Sequence, residues 1–379
     1  MLNIGHHRRF TANHTWHVNL PGRRLFLKLS PNLEEAIAER AGHEQLRGHY
    51  PVPTLHACLR AHRWTLLAYD RFGGEMPGQG LLLDEINYAD LTGDLTRLDH
   101  CLNDLLSHYQ QVIGATATRT RLADTTSKLY GDRARAGGRL DSYYRDGGQL
   151  LTFADHPSVN AADLATTTLL VDGQPRNVDF EQLITVLRCR FDPDRVEWAA
   201  ITQGDPTDLN LGWTPEQGPV WFDFDTGGRN ALAGEFACFL WYQHLHGGWL
   251  VPTYNPAPFV DHPAALQHRG LNRPSVQVRR ESAQVISIDR RHAPSAARRH
   301  TISRYVHELV IPTAIALGVD DIVGWLRPWL IMRLLAVYHL GRLTAEDAGL
   351  HLAYLTQILD PDTTLDGLFA TTAPIGRSA

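Results

Sequence analysis

Hydrophobic and polar positions alternate near the start of the chain. Trp16, Val18 and Leu20 interleave with His17 and Asn19, the two-residue period of a half-buried strand. Pro21-Gly22 marks a turn, and Leu25-Phe26-Leu27-Lys28-Leu29 returns as a second strand, so residues 10–30 predict a small antiparallel sheet. Lys28 is the one charge inside that apolar return strand. Residues 32–48 predict a helix. Asn32 caps it, Glu34 and Glu35 suit its first turn, Leu33, Ile37 and Ala41 share a face, and Pro51-Val52-Pro53 ends it.

Further on the period lengthens. Residues 90–116 predict a helix whose stripe of Leu91, Leu95, Leu98, Leu102, Leu105 and Leu106 is core. Residues 117–150 are less regular and mix Lys128, Tyr130, Arg133, Arg135, Arg139, Tyr143, Tyr144 and Arg145 with glycines. That is the pattern of a surface excursion, with a polar acceptor site as the alternative. Residues 167–171 and 183–187 are strand-like runs around an Asp-Gly turn. A polar loop then precedes a strand pair folded at Gly218-Pro219, whose second member carries Val220-Trp221-Phe222. A helix is expected over 231–245. Residues 246–300, rich in Pro, Gly, Arg and His, predict long ordered loops or a mobile arm. Three helices follow at 302–317, 321–340 and 344–359, the second open to a kink at Pro328, and the tail beyond Pro361 frays.

Composition narrows the class. The chain has 379 residues, 43% hydrophobic and 20% charged, with a net charge of −5. Those values describe a soluble globular protein with a sizeable core, and they point to neither nucleic acid nor a membrane surface. With no charged-then-apolar leader and no long uninterrupted apolar run, a cytoplasmic protein is expected. Cys58, Cys101, Cys189 and Cys238 lack zinc or redox spacing and predict reduced, mostly buried thiols. His6-His7 and the pair His244 and His246 predict solvated or hydrogen-bonded rings rather than ligands. Only two lysines occur, Lys28 and Lys128, among many arginines. A lysine kept where arginine is the habit suggests a need for a compact ammonium.

The chemistry concentrates in residues 201–228. Asp205 and Asn210 lie five positions apart, and Asp223 follows Asn210 by thirteen. One carboxylate on such a loop can face an acceptor hydroxyl. The carboxamide and the second carboxylate can hold a hard cation, since Mg²⁺ takes a few oxygen ligands together with phosphate oxygens. That is minimal equipment for phosphoryl transfer. The plain alternative is a polar hairpin, because Asp, Asn, Pro and Gly favour turns.

Gln203-Gly204-Asp205-Pro206-Thr207-Asp208-Leu209-Asn210 and Asp223-Phe224-Asp225 resemble the catalytic and metal-binding loops of the aminoglycoside phosphotransferase/choline kinase-like superfamily. Its members carry His-Gly-Asp, four residues, Asn, and an Asp-centred motif about a dozen residues on. Gln203 stands where the family has a loop-supporting His. The resemblance runs from about residue 9 to about residue 240. It implies an α+β, two-lobed protein-kinase-like fold, with a small antiparallel-sheet N-lobe over residues 1–70 and a larger, mainly helical C-lobe over residues 71–379. It implies ATP and Mg²⁺ as cofactors. Asp205 would orient the acceptor hydroxyl and take its proton, while Asn210 and Asp223 would hold Mg²⁺, with Asp225 a second choice. Lys28 would grip the α/β-phosphates, steadied by Glu39, which lies twelve before Pro51, rather than by Glu44. Thr11, Asn13 and Thr15 would cover the nucleotide, and the backbone near Ala68, Tyr69 and Arg71 would meet adenine. Asp208 would brace the loop or face the acceptor, and Glu235 would brace the loop from the next helix.

Three functions compete. The first is phosphorylation of a hydroxyl on a small-molecule acceptor. The second is a Ser/Thr kinase of a precursor peptide in modified-peptide biosynthesis. The third is a kinase-fold binding protein without catalysis. The segment 243–300 holds eight arginines against Asp261, Glu281 and Asp289. If that arm faces the acceptor cleft, its field repels a polycation, so an aminoglycoside is not the expected acceptor.

Overall fold

The computed structural model describes residues 3–10, 13–73, 80–126, 128–145, 148–153 and 156–369, with residues 3–10 described as backbone only. Thr11, Gly74 and the chain end beyond residue 369 therefore lie outside the described residues, as do the side chains of His6 and His7.

Five strands make an antiparallel sheet: β1 (Asn3–Phe10), β2 (Asn13–Leu20), β3 (Arg23–Ser30), β4 (Leu55–Ala61) and β5 (Trp64–Asp70), in the order β1-β2-β3-β5-β4. Thr15 lies directly opposite Lys28 in the β2–β3 register. Directly opposed residues share a face of the sheet, and Asn13, two positions along, shares it as well. Helix α1 (Leu33–Leu46) crosses between β3 and β4. The Asn32 side chain caps it by accepting from the backbone N–H groups of Glu34 and Glu35.

The buried face of α1 differs from the expected one. Ala36, Glu39, Gly42, His43 and Leu46 point inward, whereas Ile37 and Ala41 are exposed. Packing overrides the apolar count here. Gly42 lies so close to the Phe224 carbonyl that a Cβ would come within 1.9 Å of it. Only glycine permits that approach, and it seats α1 against the turn Phe224–Thr226.

The C-terminal region is mainly helical. The single helix expected over 90–116 is two, α2 (Leu82–Thr92) and α3 (Thr96–Thr116), separated by Gly93 in the left-handed conformation. Leu98, Leu102, Leu105 and Leu106 of α3 are core, as expected, while Leu91 is exposed. Residues 167–171 hold a strand, Thr168–Val171, but 183–187 lie in the helix Phe180–Arg190. Asp179 caps that helix, and Phe180, Leu183, Ile184 and Leu187 follow a helical spacing that reads locally like a strand.

Residues 246–300 are not a loose arm. They hold part of a π-helical stretch, Tyr242–Leu250, and a hairpin, Ser275–Ser282 with Val285–Arg291. The hairpin joins Thr168–Val171 in a four-stranded sheet. Three longer helical segments follow, Ala296–Tyr305 extended by further helix to Ala316, Ile322–Leu335 containing Pro328, and Ala345–Leu359, and a short helix, Leu365–Phe369 with Leu368 and Phe369 buried, lies within the stretch expected to fray. The observed fold is thus α+β, an antiparallel-sheet region followed by a mainly helical one. Among the described residues no helix is long and apolar enough to cross a membrane. Cys101 and Cys238 are buried, but Cys58 and Cys189 are exposed, against the expectation of mostly buried thiols.

Candidate active site

Three chain segments meet at Lys28. Its Nζ donates to Glu39 Oε2 on α1 at 2.5 Å and to Asp223 Oδ1 at 2.9 Å. Glu44, the competing carboxylate, pairs instead with Arg40 on the outer face of α1. Tyr69 on β5 donates its hydroxyl to the other Glu39 oxygen at 3.1 Å. Burial works against charge on Lys28, but the Asp223 and Glu39 carboxylates outweigh it and hold the ammonium's pKa well above its usual value. Lys28 in turn holds the Asp223 carboxyl below the usual carboxylate range.

Asp223 follows the strand Gly218–Trp221 with φ 54° and ψ 80°. A non-glycine residue seldom adopts that conformation, and such strain gathers at functional sites. The backbone is held there from the neighbouring loop. Gln203 Nε2 donates to the carbonyls of Phe222 and Asp223 at 2.9 and 2.8 Å, and its Oε1 accepts from the Asp205 N–H at 2.7 Å. One carboxamide thus ties the Asp205 loop to the Asp223 turn. Gly204, with φ +88°, has no room for a side chain, since a Cβ would stand 2.3 Å from the Thr226 carbonyl.

Asn210 Nδ2 donates to the Asp205 carbonyl at 2.9 Å, which leaves its side-chain oxygen as an acceptor. Glu235, buried on the helix Leu232–Trp241, accepts from Thr202 Oγ1, Gly204 N–H and Tyr109 OH at 2.8, 2.8 and 3.0 Å. Burial raises its carboxyl to about 7 despite those donors. The Asp208 carboxylate, 0% exposed, lies 2.7 Å from Arg298, whose side chain is 3% exposed. Asp225 pairs with Lys128. Burial and the charge of Asp223 push Asp225 up to about 7. Both lysines of the chain therefore sit on the two aspartates of one motif.

Asp205 has company that sequence reasoning missed. The Cys238 thiol donates to its Oδ1 at 2.9 Å, and Arg333 Nη2 lies 3.3 Å from the same oxygen. The Asp205 side chain is 30% exposed, so it is partly open to solvent. One signal was available, because Arg333 is a lone cation within Leu330-Ile331-Met332-Arg333-Leu334-Leu335.

Of the nucleotide-facing residues expected, Asn13 and Thr15 are buried on the Lys28 face, and Asn13 Oδ1 has no protein partner. Ala68 and Tyr69 pair with β3 on one side and β4 on the other, and the Arg71 N–H donates to the Arg24 carbonyl. Much of the backbone expected to meet adenine is therefore engaged in the sheet. A cleft of about 1000 Å³ opens nearby, lined by Arg24, Gly73, Asp84, Arg97, Trp213 and Glu216 among others, but neither Lys28 nor Asp205 lines it. His244 and His246, expected to be solvated or hydrogen-bonded, are buried with no partner on either ring nitrogen. Burial drives both well below the usual histidine pKa. Among the described residues no group of His, Cys, Asp and Glu forms a metal cluster.

A strand lysine, a helix glutamate and a loop carrying Asp, Asn and a second Asp thus converge between the sheet and the helical region. The fold is α+β, with an antiparallel-sheet N-terminal region and a mainly helical C-terminal one. The chain carries its resemblance to the aminoglycoside phosphotransferase/choline kinase-like superfamily in the Gln203–Asn210 and Asp223–Asp225 motifs. No family model and no curated protein sequence matches it. Among solved structures it is similar to an amicoumacin kinase in complex with AMP-PNP, Ca²⁺ and Ami, at 10% identity and TM-score 0.43, over 96% of this chain and 89% of that one. It is also similar to a Plasmodium vivax ethanolamine kinase, at 13% identity and TM-score 0.41, over 95% of this chain and 82% of that one. A microcompartment-associated aminopropanol kinase shows 12% identity and TM-score 0.37, over 94% and 90%. At such values these are likenesses of outline, and the functional reading stands on the site's own geometry.

Proposed function

We propose that this protein is an ATP-dependent phosphotransferase that phosphorylates a hydroxyl of a small-molecule acceptor. The observation that carries the reading is the contact of Lys28 with both Glu39 and Asp223. It brings the strand cation of the sheet region, which we take as the N-lobe of residues 1–70, onto the loop of the helical region, residues 71–379. Lys28, fixed by Glu39, is placed to hold phosphate oxygens, with Asn13 and Thr15 on the same face. Adenine would be met from Phe72 onward, since the backbone before it is engaged. Asp205 would orient the acceptor hydroxyl and take its proton.

The donor set suits a hard divalent cation. Asn210 keeps a free amide oxygen, and Asp223 keeps one carboxylate oxygen beyond the one Lys28 contacts. Magnesium bound there would neutralise phosphate charge. Asp225, engaged by Lys128, is the second choice for that role. Gln203 and Glu235 fix the loop so that little reorganisation precedes the reaction.

The test is Mg-ATP consumption with a panel of hydroxyl compounds and Ser/Thr peptides, run on the wild type and Asp205→Asn. Acceptor-dependent ADP release that falls by about two to four orders of magnitude in Asp205→Asn supports the reading. Release that depends on a peptide alone would favour the peptide kinase, and nucleotide binding without turnover would favour a binding protein.

A further inference from the structure

Several arginines of the expected basic arm are engaged by the protein itself. Arg279 pairs with Glu281 and Asp289, and Arg290 with Asp172. Arg280 donates to the Pro157 carbonyl, Arg299 to that of Pro294, and Arg298 is spent on Asp208. A second group of arginines gathers at the end of the helix Ile322–Leu335.

Arg133 and Arg139 arrive from the basic stretch 117–150, and each donates one Nη1–H to the same Ala336 carbonyl, at 3.1 and 2.9 Å. Arg333, one turn earlier on that helix, reaches Asp205 at 3.3 Å, and its buried Nε–H has no partner. A guanidinium offers five N–H donors in a planar fork. One carbonyl oxygen therefore occupies a small part of what Arg133 and Arg139 present. Among the described residues neither pairs with a carboxylate. Asp141, the acid nearest Arg139 in the chain, is taken by Arg188 and Arg145. Asp132 faces Arg135. Arg133 and Arg139 are both partly exposed, and Arg133 lies within the field of Arg139, Arg333 and Asp205. The crowding has an electrostatic cost: burial and then the charges of Arg139 and Arg333 lower Arg133 to about 10.

We infer that Arg133 and Arg139, next to the Arg333 that holds Asp205, form an anion-binding subsite, so that the acceptor is a small hydroxyl compound bearing a carboxylate or a phosphate. This inference rests on the reading of Asp205 as the acid that faces the acceptor. Two such guanidiniums bind a planar or tetrahedral oxyanion through charge-assisted, paired hydrogen bonds. The same field disfavours an ammonium group at that position. The arrangement would hold the anionic end of the acceptor while the hydroxyl lies at Asp205.

The experiment uses four compounds with a four-carbon skeleton: 4-hydroxybutyrate, 4-hydroxybutyl phosphate, 4-hydroxybutyramide and 4-amino-1-butanol. Binding is measured by calorimetry on the full chain with a non-hydrolysable ATP analogue present, and turnover is measured with Mg-ATP. One or both anions should bind at least about tenfold more tightly than the amide and the amino alcohol, and the comparison of carboxylate with phosphate identifies the head group. Arg139→Met and Arg133→Met should each raise the anion Kd and KM about tenfold or more while changing kcat far less. Arg139→Lys should restore part of the affinity. Arg333 is buried, so the half-buried pair carries the test. Equal binding of the amino alcohol, no anion binding, or variants that lose thermal stability without losing anion preference would each overturn the subsite. Those last variants would mark the arginines as caps of the helix end. Failure of the kinase reading itself would show separately, as anion binding without any turnover of Mg-ATP.

Discussion

Lys28 Nζ lies 2.9 Å from Asp223 Oδ1, joining residues 195 positions apart in the chain. The same ammonium contacts Glu39, whose side chain is 3% exposed. The lysine therefore has a structural and a functional part, and the two can be separated. Lys28→Met should leave Glu39 buried without its cation, at a cost of roughly 3–5 kcal/mol. Lys28→Met with Glu39→Gln should recover much of that stability and none of the nucleotide affinity. Denaturant melts together with nucleotide titration check this; recovery of both in the double variant would remove Lys28 from the nucleotide site. Lys28→Arg should not restore turnover fully, because a planar fork replaces a compact ammonium.

Gln203 stands where the family carries His, and its amide makes three hydrogen bonds. At about 1 kcal/mol per bond, Gln203→Ala should cost roughly 3 kcal/mol. It should also lower kcat, by freeing Asp205 from the Asp223 turn. Gln203→His offers one donor and one acceptor, so it should keep two of the three bonds and lie between the two proteins in both measurements. A Gln203→His variant no better than Gln203→Ala would show that the carboxamide shape is required.

The buried pair of Asp208 and Arg298 connects the catalytic loop to the helix Ala296–Tyr305. Burial raises the Asp208 carboxyl, and Arg298 opposes that rise. Arg298→Met should destabilise the protein by roughly 3–5 kcal/mol, since it strands a carboxylate. Adding Asp208→Asn should return most of that loss, as measured by chemical denaturation. A single variant as stable as wild type would mean that Asp208 is already protonated.

Glu235 predicts a pH dependence. Its folded-state pKa is about 7, above the ordinary value of 4.5, so between those values the folded protein holds the extra proton. Stability contributed by this group is therefore present below about 4.5 and declines as pH rises through 7. The span corresponds to roughly 3 kcal/mol. The stability difference between Glu235→Gln and wild type should shift in favour of the variant from pH 5 to pH 8. Melting curves across that range test it, and a difference independent of pH would place the Glu235 pKa near its ordinary value.

The site was legible where function is written in consecutive residues. Asp205, Asn210 and Asp223 stand out because a hairpin needs turn residues there and the chemistry needs oxygens at fixed spacing. Lys28 stands out as a charge in an apolar strand. The helix turns Glu39 inward to Lys28 and Glu44 outward to Arg40. Legibility ended where a short run carries two meanings. Residues 183–187 are apolar enough for a strand, and the Asp179 cap makes them helix. The arginines of 243–300 read as a free field because their partners, among them Asp172 and Asp208, lie far away in the chain.

By itself the sequence determined the alternation of the small sheet, the capped helix behind it, and the loop chemistry of residues 203–225. These depend on neighbours within a few positions, whose dihedral preferences and side-chain spacing act locally. Only the tertiary structure decided which charges are spent and which remain available. Arg298 is neutralised in a buried pair, Lys128 answers Asp225, Arg333 reaches Asp205, and Arg133 and Arg139 share the Ala336 carbonyl one turn on. Electrostatic interaction falls off with distance in space rather than along the chain, so the field at the site was set by how the helices pack.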